Sequence, residues 1–147
     1  MPKQNDWSSL SQKLIRIGRI GWDYARNQLP EQKMSNAQYK VCMAVHDQPG
    51  CSQYDIARYL GMDKSSITKL VSKSINGNFI YREVNPNDGR EYKLYLTDAG
   101  MEATEEFIKY LKMWEDQLFA EFGEERYNNA YERLINLEKV AEEMEEQ

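Results

Sequence analysis

Lys64, Ser65, Ser66, Thr68, Lys69, Ser72 and Lys73 fall on one side of the stretch "KSSITKLVSKSIN", and Ile67, Leu70, Val71 and Ile75 fall on the other. The first side carries cations and small hydroxyls but no carboxylate. A helix face that only meets water usually mixes both signs, because opposite charges three or four residues apart stabilise it. Without acids, the same face suits DNA. Lysines reach phosphates or guanine edges, hydroxyls bond phosphate or base, and small side chains let the helix backbone approach a groove floor. A second basic group, Arg90, stands near the turn of "NPNDGREYKLYLTDAG". On these residues alone, a plain polar surface remains an open alternative.

The surrounding pattern says what must position them. "CSQYDIARYL" opens with Ser52 and Asp55 at capping-box spacing, and Ile56, Ala57 and Leu60 form a short inward stripe. Gly61, Met62 and Asp63 make a three-residue turn, and Asp63 can cap the helix of the lysine face. Two short helices joined by a tight turn form a helix-turn-helix. Phe79–Val84 and Glu91–Leu96 then alternate as strands. In the second, Leu94 and Leu96 share one face while Lys93, Tyr95 and Thr97 share the other. Between the strands, Pro86 fixes one backbone angle and Asp88-Gly89 suits a turn needing positive φ. A hairpin directly after a helix-turn-helix is a winged helix.

Ser35 is the expected cap of an earlier helix, "NAQYKVCMAVHDQ", which Pro49-Gly50 ends. Residues 8–28 place Leu10, Leu14, Ile17, Gly21 and Tyr24 on one helical face, with Ser8 or Ser9 as cap. From Asp98 the pattern is helical for nearly the rest of the chain. Ala103, Phe107, Leu111, Trp114 and Leu118 form one stripe; after Gly123, Tyr127, Ala130, Tyr131, Leu134, Leu137 and Ala141 form another. A small winged helix cannot cover this much apolar surface, so a partner subunit is expected. The reading is a single domain over 1–147, mainly α with a small β-hairpin wing. A winged helix-turn-helix at about 35–97 is flanked by dimerisation helices at about 8–28 and 98–145.

The net charge of −5 speaks against nucleic acid until it is divided. Residues 64–97 carry 6 Lys/Arg and 3 Asp/Glu, whereas residues 98–147 carry 5 and 15. An acidic C-terminal third masks a mildly basic centre, which is where a phosphate backbone would be met. No secretory signal or membrane-spanning run is visible, so a cytoplasmic protein with Cys42 and Cys51 reduced is expected. Catalysis finds no support. The single His46 has no obvious partner, and no phosphate-binding glycine loop is present. One histidine and two separated cysteines do not make a metal site, and no cofactor is implied.

This order of elements resembles the multiple-antibiotic-resistance regulator (MarR) family of bacterial winged-helix transcription factors, over about residues 8–145. The motifs that carry it are "SNAQYKV", "SSITKLV", "FIYRE" and above all "NPNDGR…LYLTDAG". The family usually has a Leu-Glu pair late in the recognition helix and a glycine before the wing strand. Here Ser74, Ile75 and Asn78 occupy those places, with Gly77 one residue earlier; Asn tolerates the left-handed conformation. Gly89 stands where many members have a second wing arginine.

The resemblance implies a symmetric dimer built from the first helix and the last two. It also implies a recognition helix in the major groove, a wing tip in the minor groove, and a palindromic operator. The expected DNA-binding residues are Ser52, Gln53, Lys64, Ser65, Ser66, Thr68, Lys69, Lys73 and Arg90. Asp88 is expected to orient Arg90 or Arg82 within the wing. Most members repress genes beside their own and release DNA when a ligand or oxidant binds. The family's effector pocket would draw on Arg16 and Arg19, suited to an aromatic or phenolic anion, and on Tyr39, Met43 and His46. Core packing is the competing reading for the Tyr39 face. Two alternatives stand beside the repressor reading: a redox response through Cys42 or Cys51, and a winged helix used only for protein interaction.

Overall fold

The computed structural model of the protein describes residues 9–146; Ser8, one of the two expected caps of the first helix, lies outside them. Six helices and one hairpin follow in the order α1 (Leu10–Gln28), α2 (Asn36–Asp47), α3 (Gln53–Leu60), α4 (Lys64–Asn76), β1 (Ile80–Asn85), β2 (Asp88–Leu96), α5 (Asp98–Phe122) and α6 (Glu124–Glu145). Among the described residues two compact units result, one over Ala25–Tyr110 and one that joins the residues up to Tyr24 with those from Leu111 onward.

Helix boundaries in the central unit follow local chemistry. Ser35 caps α2 in a full capping box with Gln38, and Ser52 caps α3 in one with Asp55. Asp is shorter than Glu, yet its Oδ2 reaches the Ser52 amide at 2.9 Å. Gly61 ends α3 in the left-handed conformation, φ 63°. Asn78 also adopts positive φ, 62°, after α4. It thus takes the conformation that a glycine would otherwise supply, and α4 ends at Asn76 with Gly77 as its C-cap.

The core of this unit gathers Val41, Cys42, Val45, Ile56, Ile67, Val71, Ile80, Leu94 and Phe107, all nearly inaccessible. Tyr39 joins it, stacked on Phe107 with ring centroids 4.8 Å apart. Ser74 is fully buried and accepts a long 3.5 Å bond from the Gln38 amide. The apolar pattern of α4 gives no sign of this serine facing inward. The stripe on α5 is also not of one kind. Ala103, Thr104 and Phe107 are buried in the central unit, whereas Leu118 is 37% exposed. The first turns of α5 therefore belong with the winged helix, and the division falls near residue 110 rather than 98.

The hairpin departs from expectation at its turn. Asn85 pairs with Asp88, so Pro86 and Asn87 form the connection. Gly89 lies in β2, and its φ is not positive. Proline presets the first turn angle, and the Asn85 side chain accepts from the Asn87 amide at 3.0 Å. Register then jumps from Asn85↔Asp88 to Val84↔Tyr92, which leaves Gly89, Arg90 and Glu91 in a bulge. The stretch at Gly50–Cys51 also pairs with β2, through Gly50 N to Leu94 O at 2.8 Å and Leu94 N to Cys51 O at 3.0 Å.

The "LTDAG" stretch closes the sheet onto α5. The Thr97 hydroxyl donates to the Asn78 carbonyl at 2.6 Å and accepts from the Gly100 amide at 3.0 Å. Gly100 sits directly against the Phe79 carbonyl, where a Cβ would collide. In the other unit, Gly21 lies against the Trp114 ring, and Gln117 donates to the Tyr24 hydroxyl at 3.2 Å. No described residue of α6 is buried.

Candidate nucleic-acid interface

Helix α4 is fixed at its start by Asp63. Its carboxylate accepts from the Ser66 hydroxyl at 2.7 Å and the Ser66 amide at 2.9 Å. The Ser66 hydroxyl bond, then the Ser66 amide, then a bond from Ser65, hold its pKa down to about 2. The helix therefore begins with a fixed negative charge at the positive end of its dipole. Beyond it, Lys64, Ser65, Thr68, Lys69, Ser72 and Lys73 are all exposed and Ser66 is half-buried.

The hydroxyls are less free than their exposure suggests. Ser66 spends its proton on Asp63, and Thr68 spends its proton on the Lys64 carbonyl at 2.8 Å. A hydroxyl has one proton and two lone pairs, so both now offer acceptors only. Thr68 uses this to accept from Gln53 Nε2 at 3.4 Å. Because Thr68 cannot donate, the Gln53 amide must point its nitrogen inward and its oxygen elsewhere. This α3–α4 link is one that the sequence did not disclose, since the two residues are fifteen apart.

Ser52 is the N-cap of α3. It is 7% exposed, its hydroxyl accepts from the Asp55 amide, and its own amide is bonded to the Asp55 carboxylate. The capping box takes up the Ser52 amide and one lone pair of its hydroxyl, and leaves the hydroxyl proton to donate. Gln53, half-buried, remains at the surface.

The bulge places Arg90 beside the turn instead of at its apex. Asp88 Oδ1 accepts from the Arg90 amide at 3.0 Å, and Asn85 Nδ2 donates to Glu91 at 3.1 Å. Asp88 thus shapes the backbone from which Arg90 projects. Arg82 is held differently, with its guanidinium 4.5 Å from the Tyr92 ring centroid. Tyr81 and Tyr95 stack across the other face at 5.5 Å, stiffening the hairpin.

The ligand candidates divide between the two units. Arg16 and Arg19 lie on the part of α1 before Ala25, in the unit that does not hold the winged helix; both are exposed, and Arg19 pairs with Asp23 at 3.0 Å. Tyr39, Met43 and His46 lie on α2. Tyr39 is a core residue: burial raises its pKa, against the lowering effect of the Lys33 backbone. Met43 is half-buried, and His46 sits 3.3 Å from Asp47 and 3.7 Å from Glu105. None of these lines the cleft of about 140 Å³ found between the end of α2 and α3.

Cys42 is fully buried beside the Met34 sulfur at 3.5 Å, and burial pushes its thiol up to about 12. Cys51 is 8% exposed and also raised, first by burial and then by Asp55. Oxidants attack thiolates, and neither thiol ionises near neutral pH. Brief treatment with dilute hydrogen peroxide at pH 7.5 should leave both cysteines reduced by mass spectrometry and DNA affinity unchanged. Among the described residues, no group of three or more His, Cys, Asp or Glu could hold a metal, and no helix is long and apolar enough to cross a membrane.

A helix-turn-helix with an antiparallel hairpin behind it, and a lysine face on its second helix, defines a DNA-binding winged-helix protein. Residues 32–91 match the MarR family model. The chain is 23% identical over 145 residues to the HTH-type transcriptional regulator BilQ of Clostridioides difficile (strain CD3), covering 99% of this chain and 98% of that one. It superposes on the crystal structure of MarR with a TM-score of 0.82 at 26% identity, covering 97% of each chain. The fold also matches Bordetella bronchiseptica BpsR, whose DNA binding is regulated by 6-hydroxynicotinic acid, at a TM-score of 0.70 and 18% identity over 89% of this chain and 99% of that one. Residues 32–91 carry the match to the MarR family, and over nearly its whole length the chain is similar to transcriptional regulators of that family.

Proposed function

We propose that the protein is a cytoplasmic repressor that binds a palindromic operator as a homodimer and leaves it when a small aromatic or phenolic anion binds. The observation that carries the DNA reading is the exposed, acid-free face of α4 with Lys64, Lys69 and Lys73. Ser65, Ser66, Thr68 and Gln53 supply the polar contacts between them, and Arg90 enters the minor groove, drawn by its negative potential. Ser52 caps α3 and keeps its hydroxyl proton to donate to a phosphate.

The homodimer reading rests on apolar side chains left in water by one chain. Leu10, Leu14, Ile17 and Ile20 on α1, and Leu134, Leu137 and Val140 on α6, are each at least 40% exposed. Two-fold symmetry then sets half-sites about one helical turn apart, roughly 34 Å. The effector reading draws on BpsR and on the exposed Arg16. A thermal-shift screen with phenolic acids tests it, and the absence of stabilisation by any anion counts against a carboxylate effector.

Selecting DNA from a random pool with the purified protein tests the operator, its symmetry and its spacing together. A DNA reader loses affinity steeply with salt, as bound phosphates release counterions. Weak binding with little salt dependence would favour a protein-interaction module instead. On the selected operator, Arg90→Ala should weaken binding about tenfold at ~0.15 M salt and leave the dimer intact by sedimentation. Unchanged affinity would remove the wing from the interface.

A further inference from the structure

The cleft between α2 and α3 has a consistent chemistry that the DNA reading does not use. Its floor is Ala44, Cys51 and Ile56, each no more than 8% exposed, and its rim carries Asp47, Asp55 and Tyr59. No lysine or arginine lines it. It opens at the C-terminal end of α2, the negative pole of that helix's dipole. Tyr59 is 71% exposed, so its ring face is available to a ligand.

The Asp55 charge acts inside the cleft. Burial raises the Cys51 thiol, and the Asp55 carboxylate raises it further, because a second negative charge is disfavoured there. The Cys51 side chain is more than nine-tenths buried. One Asp55 oxygen caps α3 through the Ser52 amide. On the α2 side, His46 Nδ1 lies 3.3 Å from Asp47, and His46 does not line the cleft.

We propose that this cleft is a binding site for an arylalkyl ammonium, its ring between Ile56 and Tyr59 and its cationic head between Asp47 and Asp55. Carboxylates and a tyrosine face attract an ammonium, while the apolar floor excludes a bare metal ion. An apolar cavity of roughly 150 Å³ can admit a benzene ring, close to the volume here. The site lies wholly within residues 44–59 and does not depend on the operator reading.

Isothermal titration of the full chain with phenethylammonium at pH 8 tests it, with phenylacetate as the probe of opposite charge. The ammonium should bind and the carboxylate should not. Asp47→Asn, Asp55→Asn and Tyr59→Ala should each weaken the ammonium about fivefold. The asparagine at 55 keeps an oxygen for the Ser52 cap, and positions 47 and 59 are outside the core, so the variants should remain folded by circular dichroism. Equal binding of both probes, no binding of phenethylammonium, or an affinity unmoved by all three substitutions would overturn the proposal.

Discussion

Lys69→Glu should lower operator affinity about 100-fold at ~0.15 M salt while leaving fold and oligomeric state unchanged. Lys69 is central on the exposed face of α4, one turn from both Ser65 and Lys73. Glutamate is nearly as good a helix former as lysine, so the helix should persist. The substitution removes one attraction to DNA and adds a repulsion, two units of charge where phosphates are closest. The slope of log affinity against log salt should shallow by about 1 to 2. Fluorescence anisotropy across a salt series measures both effects. A variant with parental affinity and slope would take α4 out of the groove and with it the operator reading.

Gly100→Ala should be the most damaging single-methyl change in the central unit. Helix propensity alone favours alanine by about 1 kcal/mol. The collision points the other way, because the new Cβ would meet the Phe79 carbonyl, a backbone atom that cannot rotate aside. That carbonyl also accepts from the Thr97 amide at 3.0 Å, and Thr97 caps α5. Moving it disturbs the join between sheet and helix. A net loss of about 3 kcal/mol is expected. For a chain of this size the melting temperature should fall by roughly 10 °C, measured by differential scanning calorimetry at fixed protein concentration. A neutral or stabilising outcome would mean that the contact relaxes without cost.

The helix ends were legible because they are local. Ser35, Ser52, Asp63 and Gly61 each cap a helix that the pattern implied, through bonds spanning three or four residues. The turn was misread because two signals compete within five residues. Pro86 presets one geometry and Asp88-Gly89 suits another, and only the register of the paired strands decides between them. Ser74 and the Gln53–Thr68 link were invisible for a different reason. Each depends on a contact between helices far apart in sequence, and a polar residue carries no mark of which neighbour it will meet. Tyr39 shows the converse. Its spacing with Met43 and His46 suggested a ligand face, but stacking on Phe107 claims the ring for the core. The cleft at Cys51 has no sequence signature, since it arises where the end of one helix passes a second.

Helix α6 has a thermodynamic consequence. Its start at Gly123 has no side-chain cap, and none of its described residues is buried by its own chain. Glu124 and Glu125 help only through the dipole. A helix of 22 residues in water, with Leu134, Leu137 and Val140 exposed, gains little from burial. In the homodimer proposed above, association supplies its order. Mass action follows: the melting temperature should rise with protein concentration, and dilution should release α6 first. Amide exchange in α6 would thus report subunit dissociation, and the cellular level of the protein would set how much of it is completely folded.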